Sequence, residues 1–266
     1  MNVYKFELKR LMGSVLTWSV TIALMMLFLM KGFYPAMMGS RESVEKIFAN
    51  FPPEMLVAFG MDVNRMFSYE GFLSFSNIYI GLLSAMMAVS IALQVFAREK
   101  RDKCTDFLLT RPIKRSEVFW SKFMAGLTSL SIFGILYGVV VLFDFNAQNL
   151  TPLYENSLVY YILSPFLTML LFFILATLYA VYSKRVRTIA GAATAFAFGA
   201  FILSAIVDLL EKDFLRFFAP LDYFNTGYVL EHGGFDFPLV ITALVLFVLG
   251  TAVVFWRYNT HDVQAA

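Results

Sequence analysis

The sequence predicts an all-α membrane protein with six transmembrane helices, and its composition and uncharged stretches carry that prediction. Hydrophobic residues, tyrosine included, make up 59% of the 266 residues and charged residues only 15%, whereas soluble domains have about 45–50% apolar and about 25% charged residues. With 30 phenylalanines and 14 methionines, a water-facing surface could not be covered by polar groups. Soluble enzymes, disordered chains and disulfide scaffolds are therefore excluded.

Six stretches of 20 to 27 residues contain no Asp, Glu, Lys, Arg or His, and about 20 apolar residues cross a hydrocarbon core of roughly 30 Å. The first stretch follows Lys5, Lys9 and Arg10. It is longer than the roughly 7–15 apolar residues of a signal peptide and is not followed by a small-residue cleavage site, so we predict a retained span. The six predicted spans are 11–30, 71–97, 123–143, 158–182, 188–207 and 237–256.

The distribution of lysine and arginine predicts the orientation of these spans. The segments 1–10, 98–122, 183–187 and 257–266 hold 15 basic residues, and the three intervening connections hold 6. Because short cytoplasmic connections carry the excess of Lys and Arg, both termini are expected in the cytoplasm.

The longest exterior connection, 31–70, is predicted to contain two short interfacial helices. Apolar residues recur at helical spacing from Val44 to Phe51. Pro52-Pro53 then interrupts the pattern, and a second helix is expected over 54–59.

Two kinds of residue inside the spans have more than one interpretation. Gly134 and Gly138 in the third span, and Gly191, Ala195 and Gly199 in the fifth, let helix backbones approach closely. Such an approach serves packing within one chain or a contact between subunits. Polar side chains in the second span are more typical of interhelical hydrogen bonds than of substrate ligands; they are Ser74, Ser76, Asn77, Ser84, Ser90 and Gln94.

The sequence lacks the usual signatures of catalytic and metal sites. None of the 15 glycines is followed by lysine, so a phosphate-binding P-loop is absent. The HExxH and GxSxG patterns are also absent, and Cys104 is the single cysteine. We therefore predict no catalytic, cofactor-binding or metal site in this chain, and the net charge of +2 does not predict nucleic-acid binding.

One polar segment, 98–122, stands out from the rest of the chain. It holds eight of the 21 basic residues, and the apolar ridge Phe107-Leu108-Leu109 lies among its charges. Arg111-Pro112 then ends any helix, since proline disfavours helix at the preceding residue. The basic residues of this segment would by themselves be explained if it only fixed the orientation of the chain, since cytoplasmic connections carry an excess of Lys and Arg. A short helix with an apolar ridge, however, is suited to docking into a groove on a soluble partner.

This segment resembles the cytoplasmic loop between spans two and three of type-two ABC transporter permeases. In that family an acidic residue, a Gly-Thr-x-Glu/Asp-x-Leu-Leu stretch and a Pro-Ile/Val-x-Arg stretch precede a lysine at the next span. Here Glu99, Thr105–Leu109, Pro112–Arg115 and Lys122 match the pattern, with Cys104 in place of the usual glycine. The resemblance extends along the chain to Phe6–Arg10 (an amphipathic helix over 1–10 leading into the first span), Pro52–Gly60 (the first exterior loop) and Ala219–Phe224 (the last exterior loop).

The resemblance implies one permease domain over 1–266, the transmembrane subunit of an ATP-driven ABC exporter in a bacterial or archaeal plasma membrane. Two permease subunits, identical or different, would form the pathway in the lipid bilayer, and separate ATP-binding subunits would hydrolyse ATP. The chain itself would be no enzyme and would hold no cofactor. The loop 98–122 would carry the coupling helix, with these residues meeting the ATP-binding subunit: Glu99, Arg101, Asp102, Thr105, Phe107, Leu108, Leu109, Arg111 and Pro112.

Two other functions remain open at this point. One is a carrier driven by an ion gradient, which the uncharged spans disfavour for protons more than for sodium. The other is a membrane sensor or scaffold without transport activity. The sequence does not identify a cargo.

Overall fold

In a computed structural model, the protein is a helical bundle whose first helix is long and continuous. Within the described residues every regular element is helical, which confirms the all-α class. The described residues are 3–98, 114–148, 152–154, 156–183, 186, 188–210 and 212–260.

The first span belongs to a helical run from Val3 to Gly39. It consists of α1 (Val3–Leu27), a π-helical turn (Phe28–Phe33) and α2 (Tyr34–Gly39). Residues 3–10, expected to form an amphipathic helix before the span, are the first turns of α1 itself.

Two short helices follow, as the proline pair predicts. They are α3 (Arg41–Phe48) and α4 (Pro53–Ala58). Pro53 occupies the first turn of α4, where its missing N–H has no intrahelical partner to lose.

Six helices among the described residues are long and apolar enough to cross a membrane, counting the Val3–Gly39 run as one. This confirms the six-span prediction, although the helices extend beyond most of the uncharged stretches. The other helices are α5 (Tyr69–Phe96), α6 (Arg115–Ala147), α7 (Ser157–Tyr182), α8 (Ile189–Leu210), α9 (Asp213–Arg216), a 3₁₀ turn (Asp222–Phe224), α10 (Thr226–His232) and α11 (Phe237–Thr260).

The most buried span is α5, which packs most extensively on α7 and also against α1, α6 and α8. Helices α1, α8 and α11 keep broad apolar faces exposed, as lipid contact requires. We call the end of the bundle that carries Val3 and Thr260 the inner end and the opposite end the outer end.

The glycines of α6 bring it close to α7. A Cβ on Gly126 would lie 2.5 Å from the Phe173 ring, and a Cβ on Gly134 would lie 2.8 Å from Phe166. Gly138 likewise faces Ile162. The small residues of the third span therefore serve packing within one chain, the first of the two interpretations above.

Candidate functional site

The nine residues predicted to meet an ATP-binding subunit lie outside the described residues, all of them between positions 99 and 113. The structure does describe the residues that flank this segment. The contacts of those flanking residues define the inner half of the candidate site.

The first flank is tied to the beginning of α1. Arg98 ends the described chain after α5, and its Nη1 lies 4.0 Å from Oε2 of Glu7. Glu7 is itself buried. A turn further into the bundle, Gln94 Nε2 donates to Ser14 Oγ at 3.1 Å, so two polar contacts join the end of α5 to α1.

An aromatic cluster lies between the two flanks at the inner end. The ring centroids of Phe96 in α5 and Phe119 in α6 are 5.8 Å apart. Phe119 also lies 5.3 Å from Phe255 and 5.6 Å from Tyr258, both in α11. We call this group the inner aromatic cluster: Phe96, Phe119, Phe123, Phe173, Phe255 and Tyr258.

The second flank begins at Lys114, the residue before α6. The hydroxyls of Tyr4 in α1 and Thr128 in α6 are 3.1 Å apart, so α1 contacts both helices that lead to the segment. Lys122, the lysine of the family pattern, is buried in α6 one turn after Phe119. Both ends of the predicted coupling loop are thus anchored in packed structure.

A cavity of about 50 Å³, lined by both polar and apolar residues, lies toward the outer end. It is bounded by α4, α5, α7, α8 and the connection between α8 and α10. Gly60 closes one side of this cavity: its φ is +67°, and a Cβ there would lie 2.3 Å from Ile78 Cδ1 of α5. Only glycine combines this left-handed backbone with so close an approach.

The cavity is acidic. Asp208 of α8 and Asp222 of the 3₁₀ turn both line it. Asp222 is only 4% exposed, and the hydroxyl of Ser204 in α8 donates to its Oδ1. Burial, reinforced by the nearby charge of Asp208, raises the pKa of Asp222 to about 7.

The outer connection is fastened to the bundle on two sides of this cavity. Ser164 of α7 donates to the carbonyl oxygen of Phe224 at 2.7 Å. Ser74 of α5 and the side chain of Thr226 are joined by a hydrogen bond of 3.1 Å. Asn225 caps α10 by accepting from Gly227 N at 2.7 Å, which fixes the turn between these anchors.

Three of the six polar residues of the second span form hydrogen bonds to other helices, as expected: Ser74, Asn77 and Gln94. Asn77 Nδ2 donates to the Tyr161 carbonyl of α7 at 3.1 Å, and Tyr137 of α6 donates to Asn77 Oδ1. Ser76 instead bonds within its own helix, to Phe72 O at 2.8 Å.

Sequence reasoning missed the buried ionisable groups near the span ends. The apolar stretches were uncharged, but the helices that contain them continue to the buried residues Glu7, Glu70, Lys122 and Asp144 and to the half-buried Asp208. Asp144, for example, is 1% exposed and its Oδ1 lies 3.1 Å from Lys31 Nζ. A usable signal was present for some of them, since Asp144 and Asp208 each follow directly after an uncharged stretch.

Comparison with known proteins is consistent with this architecture. A search of curated proteins found no match. The family model described as ABC-2 family transporter protein, in contrast, matches residues 1–263. This match confirms the resemblance to type-two ABC transporter permeases and makes the chain a membrane transport component. Six membrane-spanning helices and a match over nearly the whole sequence lead to one conclusion: this chain belongs to the ABC-2 family of transporter proteins.

Proposed function

We propose that the chain is the permease subunit of an ATP-driven exporter in a bacterial or archaeal plasma membrane, and that segment 98–122 couples it to a separate ATP-binding subunit. Family membership supports the role of permease. The observation that carries the coupling proposal is the anchoring of both flanks. Arg98 pairs with Glu7 of α1, and Phe96 packs on Phe119.

The inner aromatic cluster supplies a route for motion from this segment. Its rings belong to α5, α6, α7 and α11. Because protein interiors are close-packed, a displacement at one ring is passed to its neighbours as strain. A partner that pushes on the segment would therefore move four spans together, and opening and closing of the pathway would follow ATP binding and hydrolysis in the partner.

The ridge Phe107-Leu108-Leu109 is the proposed contact with the ATP-binding subunit. Burying one such side chain is worth roughly 1.5–3 kcal/mol. Flanking charges, including Glu99, Arg101 and Asp102, would orient the docking with smaller, salt-sensitive effects.

Charge substitution on the ridge tests this contact. Phe107→Asp and Leu108→Glu, made separately, should leave membrane insertion intact while the ATP-binding subunit no longer co-purifies and transport is lost. Leu153→Glu is a matched control, because Leu153 is 61% exposed at the outer end. Wild-type co-purification and activity in both ridge variants would reduce the segment to a topological anchor.

ATP hydrolysis is assigned to the partner because no glycine in this chain precedes a lysine. The purified chain alone should be inactive as an ATPase and should acquire activity only with a co-expressed ATP-binding subunit. The rival function, a carrier driven by an ion gradient, predicts transport that needs no such subunit.

A second permease subunit, identical or different, would complete the pathway. The small residues of α8 favour the exposed face of its inner half as a contact, since Gly191, Ala195 and Gly199 are exposed and a Cβ on Gly199 would meet no atom within 4 Å among the described residues outside its own helix backbone. In a Cys104→Ser background, Gly199→Cys should form a cross-linked permease dimer. The cross-link should be absent for a cysteine at Gly134, which α7 covers.

A further inference from the structure

We propose that the outer connection, together with the start of α11, presents an aromatic edge that lies in the lipid leaflet at the outer end, with acyl chains as its partner. We call this edge the outer aromatic patch; it consists of Phe214, Phe217, Phe218 and Phe237. The inference does not depend on the proposed coupling to an ATP-binding subunit, because it concerns only how the outer end of the bundle meets the membrane.

The first observation is that three of the rings share one side of a short helical turn. Phe214, Phe217 and Phe218 have the i, i+3, i+4 spacing that places side chains on one face of a helix. All three are exposed, Phe214 at 70% and Phe218 at 59%. The rings of Phe214 and Phe218 pack edge to face with their centroids 5.6 Å apart. In the described structure these rings therefore form a surface and not a core.

The second observation is that polar groups of the same turn are bound to the bundle. Arg216 Nη1 lies 3.0 Å from Asp236 Oδ2, and the guanidinium sits 5.5 Å above the Tyr228 ring. The Tyr223 hydroxyl donates to the carbonyl oxygen of Phe217. These polar groups are thus satisfied by protein while the rings remain uncovered. Such a segment can enter an apolar phase without leaving those groups unpaired.

The third observation is the depth of the patch along the bundle. Phe237 is the first residue of α11, Trp256 follows 19 positions later, and both are exposed. At 1.5 Å per residue they are about 28 Å apart, close to the roughly 30 Å of a hydrocarbon core. Phe237 therefore lies near the edge of the hydrocarbon, and the contact between Arg216 and Asp236 holds the turn beside it. Phenylalanine-rich faces of interfacial segments lie at this boundary.

The fourth observation is that the patch continues the lipid-facing surface of the spans. Leu209 and Leu210 are exposed at the end of α8, and Leu244 is exposed on α11 two turns after the patch. The same acyl chains that cover these faces would reach the rings. Lys212 and Asp213, the exposed charges that precede the rings, are suited to the zwitterionic headgroups at this level.

A second permease chain is the alternative occupant of the patch. The small residues proposed for a contact between chains end at Gly199, which lies about 15 Å along α8 from Leu209. The patch, in contrast, carries only large rings, and it borders the exposed face of α11 as well as that of α8. Lipid is therefore the occupant that the described surface favours.

Insertion of the patch would hold the outer connection at a fixed depth. The connection is fastened to α8 by the hydrogen bond from Ser204 to Asp222, and to the start of α11 by Arg216 and Asp236. A change in bilayer thickness at the outer end would therefore act on both spans through the patch.

Depth-dependent quenching of single tryptophans tests the proposal. In a background that lacks the three native tryptophans (Trp18→Phe, Trp120→Phe, Trp256→Phe), Phe214→Trp and Phe218→Trp would be made separately, and the full chain reconstituted in phosphatidylcholine vesicles. Each new indole should lose roughly half of its emission to lipid carrying a doxyl label high on the acyl chain. It should lose less to a label near the chain end and little to iodide present on both sides of the membrane.

Two matched variants set the scale in the same background. Leu244→Trp, about 10 Å deeper than Phe237 on the exposed face of α11, should be quenched most by the label near the chain end. Leu153→Trp should be quenched by iodide and not by labelled lipid, because Leu153 is exposed and lines an open surface depression with Arg65 and His232.

Two results would overturn the proposal. If iodide quenches both ring variants as it quenches Leu153→Trp, the patch faces water. If neither iodide nor labelled lipid reaches them, a second chain or another protein covers the patch. Should the tryptophan-free background fail to fold, a nitroxide on Cys104→Ser/Phe214→Cys gives an independent measurement: it should collide more often with oxygen than with a water-soluble nickel chelate, and the reverse order contradicts insertion.

Discussion

Asn77 of α5 donates its side-chain amide to the backbone carbonyl of Tyr161 in α7, at 3.1 Å. The acceptor is a carbonyl that α7 cannot satisfy itself. Pro165 lies four residues further along the helix and has no N–H to donate to it. The Asn77 side chain thus replaces the donor of the missing helical hydrogen bond. The Tyr137 hydroxyl holds this side chain in position by donating to Asn77 Oδ1.

The first prediction is a coupling between Asn77 and Pro165. Asn77→Ala should lower the free energy of unfolding by about 1–3 kcal/mol, because it leaves the Tyr161 carbonyl and the Tyr137 hydroxyl buried without their partner. In a Pro165→Ala background the restored N–H can serve the carbonyl, so Asn77→Ala should cost less. A double-mutant cycle of Tm or denaturant midpoints measures the difference. Ser76→Ala is the matched control, since Ser76 bonds within its own helix; equal costs in both backgrounds would contradict the coupling.

The second prediction concerns the outer ion pair. Asp144 is buried and receives hydrogen bonds from Tyr69 and Gln148 in addition to its pairing with Lys31. Lys31→Met should lower the free energy of unfolding by roughly 1–2 kcal/mol, a reduced value because the Lys31 side chain is 46% exposed. Adding Asp144→Asn should recover part of that loss by removing the unpaired charge. If the double variant is less stable than Lys31→Met, the carboxylate does not depend on the lysine.

The third prediction is a pH dependence that originates at Asp222. Burial and Asp208 raise its pKa to about 7 in the folded chain, with Arg216 opposing the shift; an unfolded aspartate titrates near 3.9. The folded state therefore holds the proton more tightly. The protonated Asp222 therefore stabilises the folded chain fully below about pH 4. As the pH rises toward 7 this stabilisation is lost, and the free energy of unfolding falls by on the order of 4 kcal/mol.

Unfolding measured between pH 4.5 and 8 in the presence of EDTA checks this dependence. The wild-type Tm should fall as the pH rises, and Asp222→Asn should flatten the profile. Asp213→Asn, which removes an exposed acid of the same connection, should keep the wild-type profile. An unchanged slope in Asp222→Asn would assign the effect to another group.

The fourth prediction is the orientation of the chain. Fifteen basic residues lie in the segments predicted to be cytoplasmic and six in the others. In a Cys104→Ser background, Leu153→Cys should react with an impermeant maleimide in intact cells, because the side chain is exposed at the outer end. The native Cys104 should react only after the membrane is permeabilised. Labelling of Cys104 in intact cells would reverse the predicted orientation.

The sequence was sufficient for the number of spans and for the short exterior helices. The uncharged stretches predict the number of spans, because lipid tolerates few charges. Pro52-Pro53 predicts the break between α3 and α4. Helix ends were less predictable. The helix α6 begins at Arg115 and ends at Ala147, beyond both ends of the stretch 123–143, because Lys122 and Asp144 are accommodated in packed structure that no local pattern reveals.

The outer cavity was beyond the reach of sequence reasoning. Its acids are 14 positions apart, and the hydroxyl of Ser164 reaches the same connection from a separate helix. Which polar residues meet depends on how α5, α7 and α8 pack, and each of these helices has several polar residues that could have faced a neighbour. Asn77 was predicted to form an interhelical hydrogen bond. Its acceptor, the Tyr161 carbonyl that Pro165 leaves without a helical donor, is known only from the packing of α5 on α7.

Because of the π-helical turn at Phe28–Phe33, the first span should tolerate the deletion of one residue within that turn. A π turn holds one more residue than an α turn, so deleting one residue there should restore regular α-helix without altering the faces on either side. The same deletion before Met26 should rotate everything that follows by about 100° and carry Lys31 away from Asp144. Among homologues of this chain, single-residue gaps in the first helix should therefore concentrate at this turn.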